Sequence, residues 1–379
     1  MRVLYSFPHA LGAPGIGTTA LNQLRALVRL GIDVNVYAAS FAVPVPGGGR
    51  RVSTLAAGPV RVPHRALGVA RAYAYHDLRV AAALRAHPRR YDVVHAWPRS
   101  CLRTFAAARR VGVRGVREVP NTHTGHAYER VARELEELGM DLPTGHSHAF
   151  DDKVLSLEEA EYRLADVLLV PSPYVRRTFL DRGFAPDRLS MHHYGFDPER
   201  FAPPGDREPG PFTAVFLGRA EPRKGLHYAL RAWHESGVAD RGRLIVAGAF
   251  TPGYRELLSP WIDHRSVEVV GFVDDAEALL QRCDVLLLPS VEEGSALVTY
   301  EAMACGCVPL VSDAAGARCE DGREGLIHAA GDVAALAGHL RLLESDPARL
   351  ARMRAAAIAA RSQLTWDVAA REVRAAYAG

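Results

Sequence analysis

Short apolar runs alternate along the chain with longer stretches of helical periodicity. The chain opens with an apolar run at residues 2–7, followed by a glycine-containing loop, a helical pattern at 20–30 and a second run at 33–37. Nearly continuous apolar runs separated by amphipathic helices are typical of βαβ units, in which helices cover both faces of a parallel sheet. The pattern therefore predicts an α/β fold.

The alternation occurs twice, with an interruption near the middle of the chain. Residues 202–211 contain four prolines and two glycines, a composition typical of a linker. We therefore predict a first domain at 1–203, a second at 204–362, and a final segment at 363–379 whose helix packs back onto the first domain. Further strands are predicted at 91–95, 115–119, 167–170, 212–217, 243–247, 267–270, 285–288 and 307–312, and a helix at 65–85.

Length and composition agree with two such domains. The 379 residues are 48% hydrophobic and 23% charged, as in an ordinary globular enzyme. Apolar runs stay well short of the roughly 18–20 residues of a membrane span, and a strand pattern begins at residue 2, so we expect a cytoplasmic protein. The five cysteines are scattered without zinc-ligand spacing, and we expect no metal site.

Charge is distributed unevenly. Residues 1–118 contain 18 arginines and only four acids, whereas lysine occurs in the chain only at Lys153 and Lys224. One interpretation is a general compositional preference for arginine. The other is a basic face that contacts an acceptor or an anionic membrane, the latter at the inner surface of the membrane, since each basic residue near such a surface contributes about 1 kcal/mol.

The first loop contains a glycine pattern. Gly15 and Gly17, followed by Ala20, fit the GxGxxA motif of dinucleotide-binding folds. Two features count against a dinucleotide: the glycines begin about eight residues beyond the predicted strand, and residues 37–40 contain no acid for a ribose. The alternative is a glycine loop whose backbone amides approach a phosphate or a bound acceptor.

The most informative stretch is 284–313, which is predicted to form strand, loop, helix and strand. Its loop and helix contain two carboxylates, Glu293 and Glu301, separated by seven residues. We expect the amides of Gly294, Ser295 and Ala296 to lack intrahelical partners and to face an anion above the sheet edge. A diphosphate suits these amides, and sugar hydroxyls suit the carboxylates.

Two further loops follow strand ends, where open α/β sheets bind their ligands. Arg219 and Lys224 flank a turn between a strand and a helix, so both can reach one anion. His123 follows the strand at 115–119 and is a candidate to contact the reacting sugar or acceptor, with His126 second. A purely structural role for His123 is the alternative.

Together these residues resemble a known family. Gly218-Arg219 with Lys224-Gly225, and the segments 289–294 and 301–306, resemble the retaining glycosyltransferases of family 4. Residues 170–175 and 194–201 also match. That family has the GT-B fold, two Rossmann-like parallel-sheet domains facing a cleft. The resemblance implies transfer of a sugar from a UDP- or GDP-type nucleotide sugar to a hydroxyl acceptor, with no metal and no other cofactor.

The resemblance also implies residue roles. Arg219 and Lys224 would bind the diphosphate, Glu293 the transferred sugar, and Glu301 the ribose. Backbone at Phe272 and Val273 would contact the base. Ser295 and Ala296 replace the Phe and Gly that are frequent in the family, which leaves the donor sugar open. In related retaining enzymes the acceptor attacks from the face the diphosphate leaves, and the phosphate assists deprotonation.

The acceptor and two other function classes stay open at this point. The acceptor is a lipid-linked glycan, a polysaccharide or a small metabolite, and no nucleic-acid partner is expected. One alternative is a non-catalytic protein that binds sugar nucleotides. The other is an NAD-type oxidoreductase that uses the Gly15 loop.

Overall fold

Two parallel β-sheets form the framework of the chain. The computed structural model describes residues 1–57, 60–61, 68–143, 145–205 and 210–379. The strands are β1 (Arg2–Leu11), β2 (Asp33–Phe41), β3 (Arg51–Ser53), β4 (Ala56–Ala57), β5 (Val60–Arg61), β6 (Val93–Ala96), β7 (Arg114–Glu118), β8 (Val167–Val170), β9 (Leu189–Met191), β10 (Thr213–Leu217), β11 (Arg243–Ala247), β12 (Val267–Gly271), β13 (Val285–Leu288), β14 (Val308–Ser312) and β15 (Leu326–His328).

Helices connect these strands. They are α1 (Ile16–Arg29), α2 (Val69–Ala86), α3 (Leu102–Val111), α4 (Thr124–Leu138), α5 (Asp152–Leu164), α6 (Pro173–Leu180), α7 (Leu226–Glu235), α8 (Tyr254–Leu257), α9 (Ser259–Ile262), α10 (Ala276–Gln281), α11 (Leu297–Ala304), α12 (Val333–Ser345), α13 (Pro347–Ala360) and α14 (Trp366–Ala378). Among the described residues, no helix combines the length and apolar character needed to cross a membrane.

The strand order of each sheet places its ligand-binding edge. In the described part of the chain the first sheet has seven strands in the order β3-β2-β1-β6-β7-β8-β9, and the second has six in the order β12-β11-β10-β13-β14-β15. All pairs within both sheets are parallel. The order reverses between β1 and β6 and between β10 and β13, so the loops after these strands diverge and leave a crevice. The predicted α/β class with two Rossmann-like sheets is confirmed.

Most predicted elements agree with the structure to within a few residues. The strands at 167–170, 243–247 and 285–288 and the helix at 226–235 have the predicted bounds. Strand β15 was not predicted, because three residues give too short a pattern. The helix predicted at 65–85 corresponds to α2; its first residues, 65–67, lie outside the described part of the chain.

The first loop is shorter than predicted. Strand β1 continues to Leu11, because a bulge between Phe7 and Ala10 accommodates Pro8, which lacks an N–H for the ladder. Helix α1 begins at Ile16, so Gly15 lies four residues beyond the strand and not eight. The spacing argument against a dinucleotide was therefore wrong, whereas the end of β2, Ala-Ser-Phe, still offers no acid.

Helix α14 packs against the first domain, as expected. Arg29 on α1 pairs with Asp367 at 2.6 Å, and the Tyr377 hydroxyl lies 2.6 Å from Nδ1 of His95 on β6. Val373 belongs to the same apolar cluster as Val3. The C-terminal helix therefore packs against the N-terminal part of the chain. The boundary proposed at 203/204 lies close to residues 206–209, outside the described part, and stays a prediction.

A buried polar network fixes this packing. Glu118, at the end of β7, is fully buried and accepts hydrogen bonds from Gln23 Nε2 at 2.9 Å and from the Tyr194 hydroxyl at 2.8 Å. Its other contacts are His192 Nε2, at 2.9 Å, and His95 Nε2, at 3.0 Å. Burial alone raises the pKa of this carboxyl, but neighbouring histidines, His192 foremost, bring it well below its usual value. The network thereby links α1, β6, β7 and α14 in one core.

Candidate active site

The loops after β10 and β13 meet at the reversal point of the second sheet. Strands β10 and β13 are adjacent, so the turn at 218–225 and the loop at 289–296 leave the same edge side by side. A hypothetical Cβ on Gly225 would lie 2.1 Å from the Pro289 carbonyl oxygen, which shows how closely the two segments approach. Open α/β sheets bind ligands at this position.

Glu293 and Lys224 form an ion pair across this junction. Lys224 Nζ contacts Glu293 Oε1, and Arg223 Nη1 lies 3.1 Å from Glu293 Oε2. Burial by itself raises the pKa of Glu293, but the Arg223 guanidinium and the Lys224 ammonium outweigh it and lower the pKa to about 2. Glu293 is therefore ionised at neutral pH and held in one place. The structure brings these two predicted residues together.

Arg219 and Arg223 differ in their surroundings. Arg219 is exposed, and no described carboxylate lies within ion-pair distance of it. Arg223 is largely buried, with Glu221 at 2.9 Å, Glu292 at 3.2 Å and Glu293 at 3.1 Å. Arg223 is thus neutralised inside the protein, whereas the charge of Arg219 is exposed to solvent.

Glu292 joins the two domains. Its side chain is fully buried and accepts from the Thr122 hydroxyl at 2.6 Å and the Thr122 amide at 3.2 Å. On the other side it meets Arg223, while His148 lies 3.7 Å away. Sequence reasoning missed both Glu292 and Arg223; their adjacency to Glu293 and Lys224 was the available signal, although adjacency does not show which carboxylate is buried.

The backbone at Gly294 lies directly against the first domain. A Cβ added there would lie 1.8 Å from the Pro120 carbonyl oxygen, so only glycine fits. The Gly294 carbonyl accepts from the Ser172 hydroxyl at 2.7 Å. The expectation that these amides face an anion was wrong for Ala296: its amide lacks an intrahelical partner as predicted, but it donates to the Ala315 carbonyl at 3.3 Å because the loop folds onto the turn after β14.

Glu301, Phe272 and Val273 lie farther along the same sheet edge. Glu301 is on α11, partly buried, and has no ion pair with any described residue; burial raises its pKa to about 7, although Arg200 opposes the shift. Phe272 is 81% exposed just beyond β12, and Val273 is half-buried against the core. None of the three lines the cleft cavity at Glu293. Their donor-binding roles stay predictions.

A cavity of about 470 Å³ lies between the domains. The second domain contributes Glu293, Ser295 and Leu297, and the first contributes the rest of the lining, including Ile16 and Thr19 of α1. Its volume falls within the roughly 300–1,000 Å³ of small-molecule sites.

The Gly15 loop forms one edge of this cavity. Gly15 adopts a φ of +80° with open space at its Cα, and it precedes the exposed Ile16. At Gly17 a Cβ would lie 2.6 Å from the Ala10 carbonyl oxygen, so this glycine is required for packing of α1 on β1. The amide end of α1 is open to a ligand at Gly15, whereas Gly17 has a structural role.

The prediction that His123 contacts the reacting sugar is not supported by its placement. His123 is 2% exposed and caps α4, accepting from the Gly125 amide at 3.2 Å. Its ring packs 5.1 Å from those of Tyr162 and Phe179, and the side chain does not line the cavity. Burial, with the Arg182 charge, lowers its pKa to about 3. The structural alternative is therefore favoured, because the aromatic pocket holds the ring away from the cleft.

His126, the second candidate, also bonds within the protein: its Nε2 lies 2.8 Å from the Tyr174 hydroxyl. The cavity wall consists instead of residues from distant parts of the first domain that sequence reasoning did not select. They are His9, Tyr73, Trp97, Arg99, Arg117, Tyr128, Ser147, His148, Glu158, Tyr162 and Tyr194. No shared motif marks them, because they converge only through the fold.

Comparison with known protein families agrees with this geometry. Residues 14–200 match the family described as "Glycosyltransferase Family 4", and residues 211–346 match "Glycosyl transferases group 1". The two matches divide between the two sheets and together include both candidate loops.

The chain is a glycosyltransferase of the family 4 type. This assignment replaces the oxidoreductase alternative. Relatives along nearly the whole chain include D-inositol 3-phosphate glycosyltransferases of Stackebrandtia nassauensis (27% identity, 96% of this chain and 86% of the relative) and Corynebacterium diphtheriae (27%, 98% and 91%). A glycogen synthase of Mycobacterium tuberculosis is 36% identical over 47% of this chain and 44% of its own.

Solved structures with the GT-B fold superimpose on the entire glycosyltransferase. Anabaena HepE in complex with UDP has a TM-score of 0.67 at 18% identity and covers 100% of both chains. Sucrose-phosphate synthase of Thermosynechococcus elongatus has a TM-score of 0.71 at 18% identity, covering 100% of this chain and 98% of that one. At these identities the likeness establishes the fold, and the predicted GT-B architecture is confirmed.

The two arginines of the 218–225 turn should respond differently to substitution. Arg219→Ala should leave the free energy of unfolding nearly unchanged. If Arg219 binds the diphosphate, as the family resemblance implies, the variant should raise the Kd for UDP or GDP about tenfold or more, because a charged hydrogen-bond partner would be lost. Arg223→Ala should lower the free energy of unfolding by about 3–5 kcal/mol, because buried carboxylates lose their counter-charge. Urea denaturation and calorimetric titration measure the two quantities. Equal effects of both variants on stability would contradict this division.

Nucleotide binding should depend on the ionisation of Glu301. Burial holds the pKa of Glu301 at about 7, so the carboxylate is lost as pH falls below that value. If it accepts the ribose hydroxyls, the Kd of UDP or GDP should rise by up to about tenfold per pH unit below 7. Glu301→Gln serves as the control, because it retains shape and cannot titrate. Identical pH profiles for the two proteins would rule out this role.

Proposed function

We propose that this glycosyltransferase moves a sugar from a UDP- or GDP-type nucleotide sugar to a hydroxyl acceptor, with retention of configuration and without a metal ion. The observation that carries the proposal is the pairing of Lys224 with Glu293, which lines the cleft cavity. Arg219, on the same turn as Lys224, is exposed and has no ion pair with a described carboxylate. Cationic side chains would bind the diphosphate of a nucleotide sugar, and an adjacent carboxylate would accept hydrogen bonds from the hydroxyls of the attached sugar.

The donor would span the edge of the second sheet. Arg219, Lys224 and the amide end of α1 at Gly15 would meet the diphosphate, Glu293 the sugar hydroxyls, and Glu301 the ribose diol. Backbone at Phe272 and Val273 would meet the base. Because HepE structures contain UDP and UDP-glucose, uridine nucleotides are the first donors to test.

Transfer would proceed on one face of the sugar. The bond between the anomeric carbon and the diphosphate oxygen breaks, and its electron pair stays on the departing oxygen. Arg219 and Lys224 stabilise the negative charge that develops there, a contribution of several kcal/mol in a preorganised site. The acceptor hydroxyl attacks the anomeric carbon from the same side, and its proton passes to the departing phosphate oxygen.

The acceptor would occupy the cavity of the first domain. Its hydroxyl must reach the space beside Glu293, which lines that cavity together with Ser295. The names of the relatives point to two chemistries, a phosphorylated inositol and a polysaccharide. A small metabolite, a polysaccharide end and a lipid-linked glycan all present such a hydroxyl.

We also propose that helices α2 and α3 form a surface that meets an anionic membrane. Arg71 and Arg85 are exposed on α2, where Tyr75 and Leu78 are 41% and 47% exposed. The one acid in these two helical segments, Asp77, is buried and accepts from the Thr104 amide and hydroxyl. Apolar side chains framed by arginines are typical of interfacial helices.

Removal of the Lys224 ammonium should impair turnover without unfolding the protein. We expect Lys224→Ala to reduce kcat/KM for the nucleotide sugar by about 100-fold or more, because a donor to the departing diphosphate is lost. The matched control is Lys153→Ala, which removes the chain's other lysine from an exposed position on α5. Near-normal turnover in Lys224→Ala would refute the assignment, and loss of wild-type activity in EDTA with recovery in magnesium would refute metal independence.

Membrane binding should require the α2 arginines. Wild-type protein should co-sediment at low salt with vesicles containing anionic lipid, and Arg71→Glu/Arg85→Glu should reduce the bound fraction about tenfold or more, at about 1 kcal/mol per charge. Arg231→Glu/Arg265→Glu makes the same charge change at exposed positions of the second domain and should bind normally. Absence of wild-type binding at low salt would leave only the compositional interpretation of the arginines.

A further inference from the structure

Two arginines in the wall of the acceptor cavity are already neutralised by the protein. Arg117 is fully buried, and its Nη2 lies 3.0 Å from both Glu158 Oε2 and Glu161 Oε2. Its guanidinium carbon also lies 4.2 Å from the centroid of the Tyr162 ring. The Arg117 guanidinium is therefore fully engaged by side chains of the protein. It stabilises the cavity wall, and its charge is balanced by the two carboxylates.

Arg99 is held by the same acids. Its Nε lies 2.7 Å from Glu158 Oε1, and its amide donates to Glu161 Oε2 at 2.9 Å. The residue adopts a φ of +67°, which is unusual for a side chain other than glycine. Glu161 therefore stabilises the strained backbone at Arg99. Glu158 balances the charge of the Arg99 guanidinium at the edge of the cavity.

Glu161 carries the charge that completes the balance. Its two oxygens accept from the amides of Arg99 and Cys101 and from Nε and Nη2 of Arg117. Burial raises the pKa of this carboxyl, yet all four partners are donors, and a protonated acid would have to direct its hydrogen at one of them. The carboxylates of Glu158 and Glu161 therefore balance the guanidinium groups of Arg99 and Arg117, and this cluster of four side chains has no net charge.

Apart from Glu293, whose charge is balanced by Lys224 and Arg223, the rest of the wall is aromatic or neutral. Tyr73, Trp97 and Tyr128 line the cavity together with Thr19 and Asn121. Of the histidines, His9 lies 3.2 Å from the Tyr73 hydroxyl, while burial and the Arg223 charge lower the pKa of His148 to about 4, so His148 is neutral at pH 7. Such rings offer an apolar face with a polar tip, which suits the C–H and hydroxyl groups of a carbohydrate.

From this charge balance we infer that the acceptor is an uncharged sugar or polyol, without a phosphate or carboxylate in the cavity. The inference rests on the proposed transferase function and narrows its acceptor class. A phosphate placed here would face Glu158 and Glu293. It would find Arg117 fully paired and the charge of Arg99 already balanced by Glu158, so the cost of desolvating the phosphate would go uncompensated. In this respect the chain would differ from relatives named for inositol 3-phosphate.

Matched acceptors test the inference. Wild-type enzyme is incubated with the nucleotide sugar that it hydrolyses and with pairs of acceptors in which one member carries an anionic group: inositol and inositol 3-phosphate, glucose and glucose 6-phosphate, glucose and glucuronate. Product formation, and slowing of donor hydrolysis where no product forms, are measured as concentration series. We expect each uncharged member to act at concentrations about tenfold or more lower than its charged partner. Equal or greater potency of the charged members would overturn the inference.

A charge substitution in the cavity wall provides a second test. Glu158→Gln keeps the side chain's size but leaves the arginines with one unbalanced charge, and it should raise the relative use of the phosphorylated members about tenfold. The control is Glu159→Gln, which makes the same change one residue away, where the side chain pairs with Arg163 on the outer face of α5. An unchanged preference in folded Glu158→Gln would contradict the inference, and the wild-type series is decisive if that variant does not fold.

Failure of this inference is distinguishable from failure of the proposed function. Hydrolysis of a nucleotide sugar and thermal stabilisation by UDP or GDP are recorded on the same samples. Donor hydrolysis combined with a preference for charged acceptors overturns only the acceptor class. Absence of nucleotide binding and of hydrolysis overturns the transferase proposal and, with it, the inference.

Discussion

The candidate site depends on the buried ion cluster between the domains. Arg223 pairs with both Glu292 and Glu293. Glu292 also accepts hydrogen bonds from the hydroxyl and the amide of Thr122 in the opposite domain. Uncompensated charges at these positions would cost several kcal/mol each, so the acids are stable only where the arginine and both loops are in register. The packing of the two domains and the placement of the Glu293 carboxylate therefore depend on each other.

The same principle sorts charge throughout the cleft. In the second domain Arg223 and Lys224 are balanced by acids, whereas Arg219 is exposed and has no ion pair with any carboxylate that the structure describes. In the first domain Arg99 and Arg117 are balanced by Glu158 and Glu161. The protein thus leaves one arginine exposed at the edge of the second sheet and balances the arginines in the wall of the aromatic cavity.

Much of the site followed from local patterns, whereas some placements did not. Lys224 and Glu293 stand in short motifs at strand ends, and parallel strands bring such ends together, so their proximity was predictable. His123 also follows a strand, but its ring turns into an aromatic pocket formed by Tyr162 and Phe179, which are distant in sequence. A position at a strand end predicts the neighbourhood of a residue but not the direction of its side chain.

The sequence by itself determined the α/β class, the two sheets and the family, because hydrophobic period and motif spacing act over a few residues. Tertiary structure alone decided which buried polar and charged groups are paired: Thr122 bonds to Glu292, Arg117 pairs with Glu161, and His95 contacts Tyr377 across wide separations in sequence. Apolar residues share one requirement, burial, that any nearby apolar surface meets. A buried charge instead requires one specific partner, and only the completed fold shows which residue supplies it.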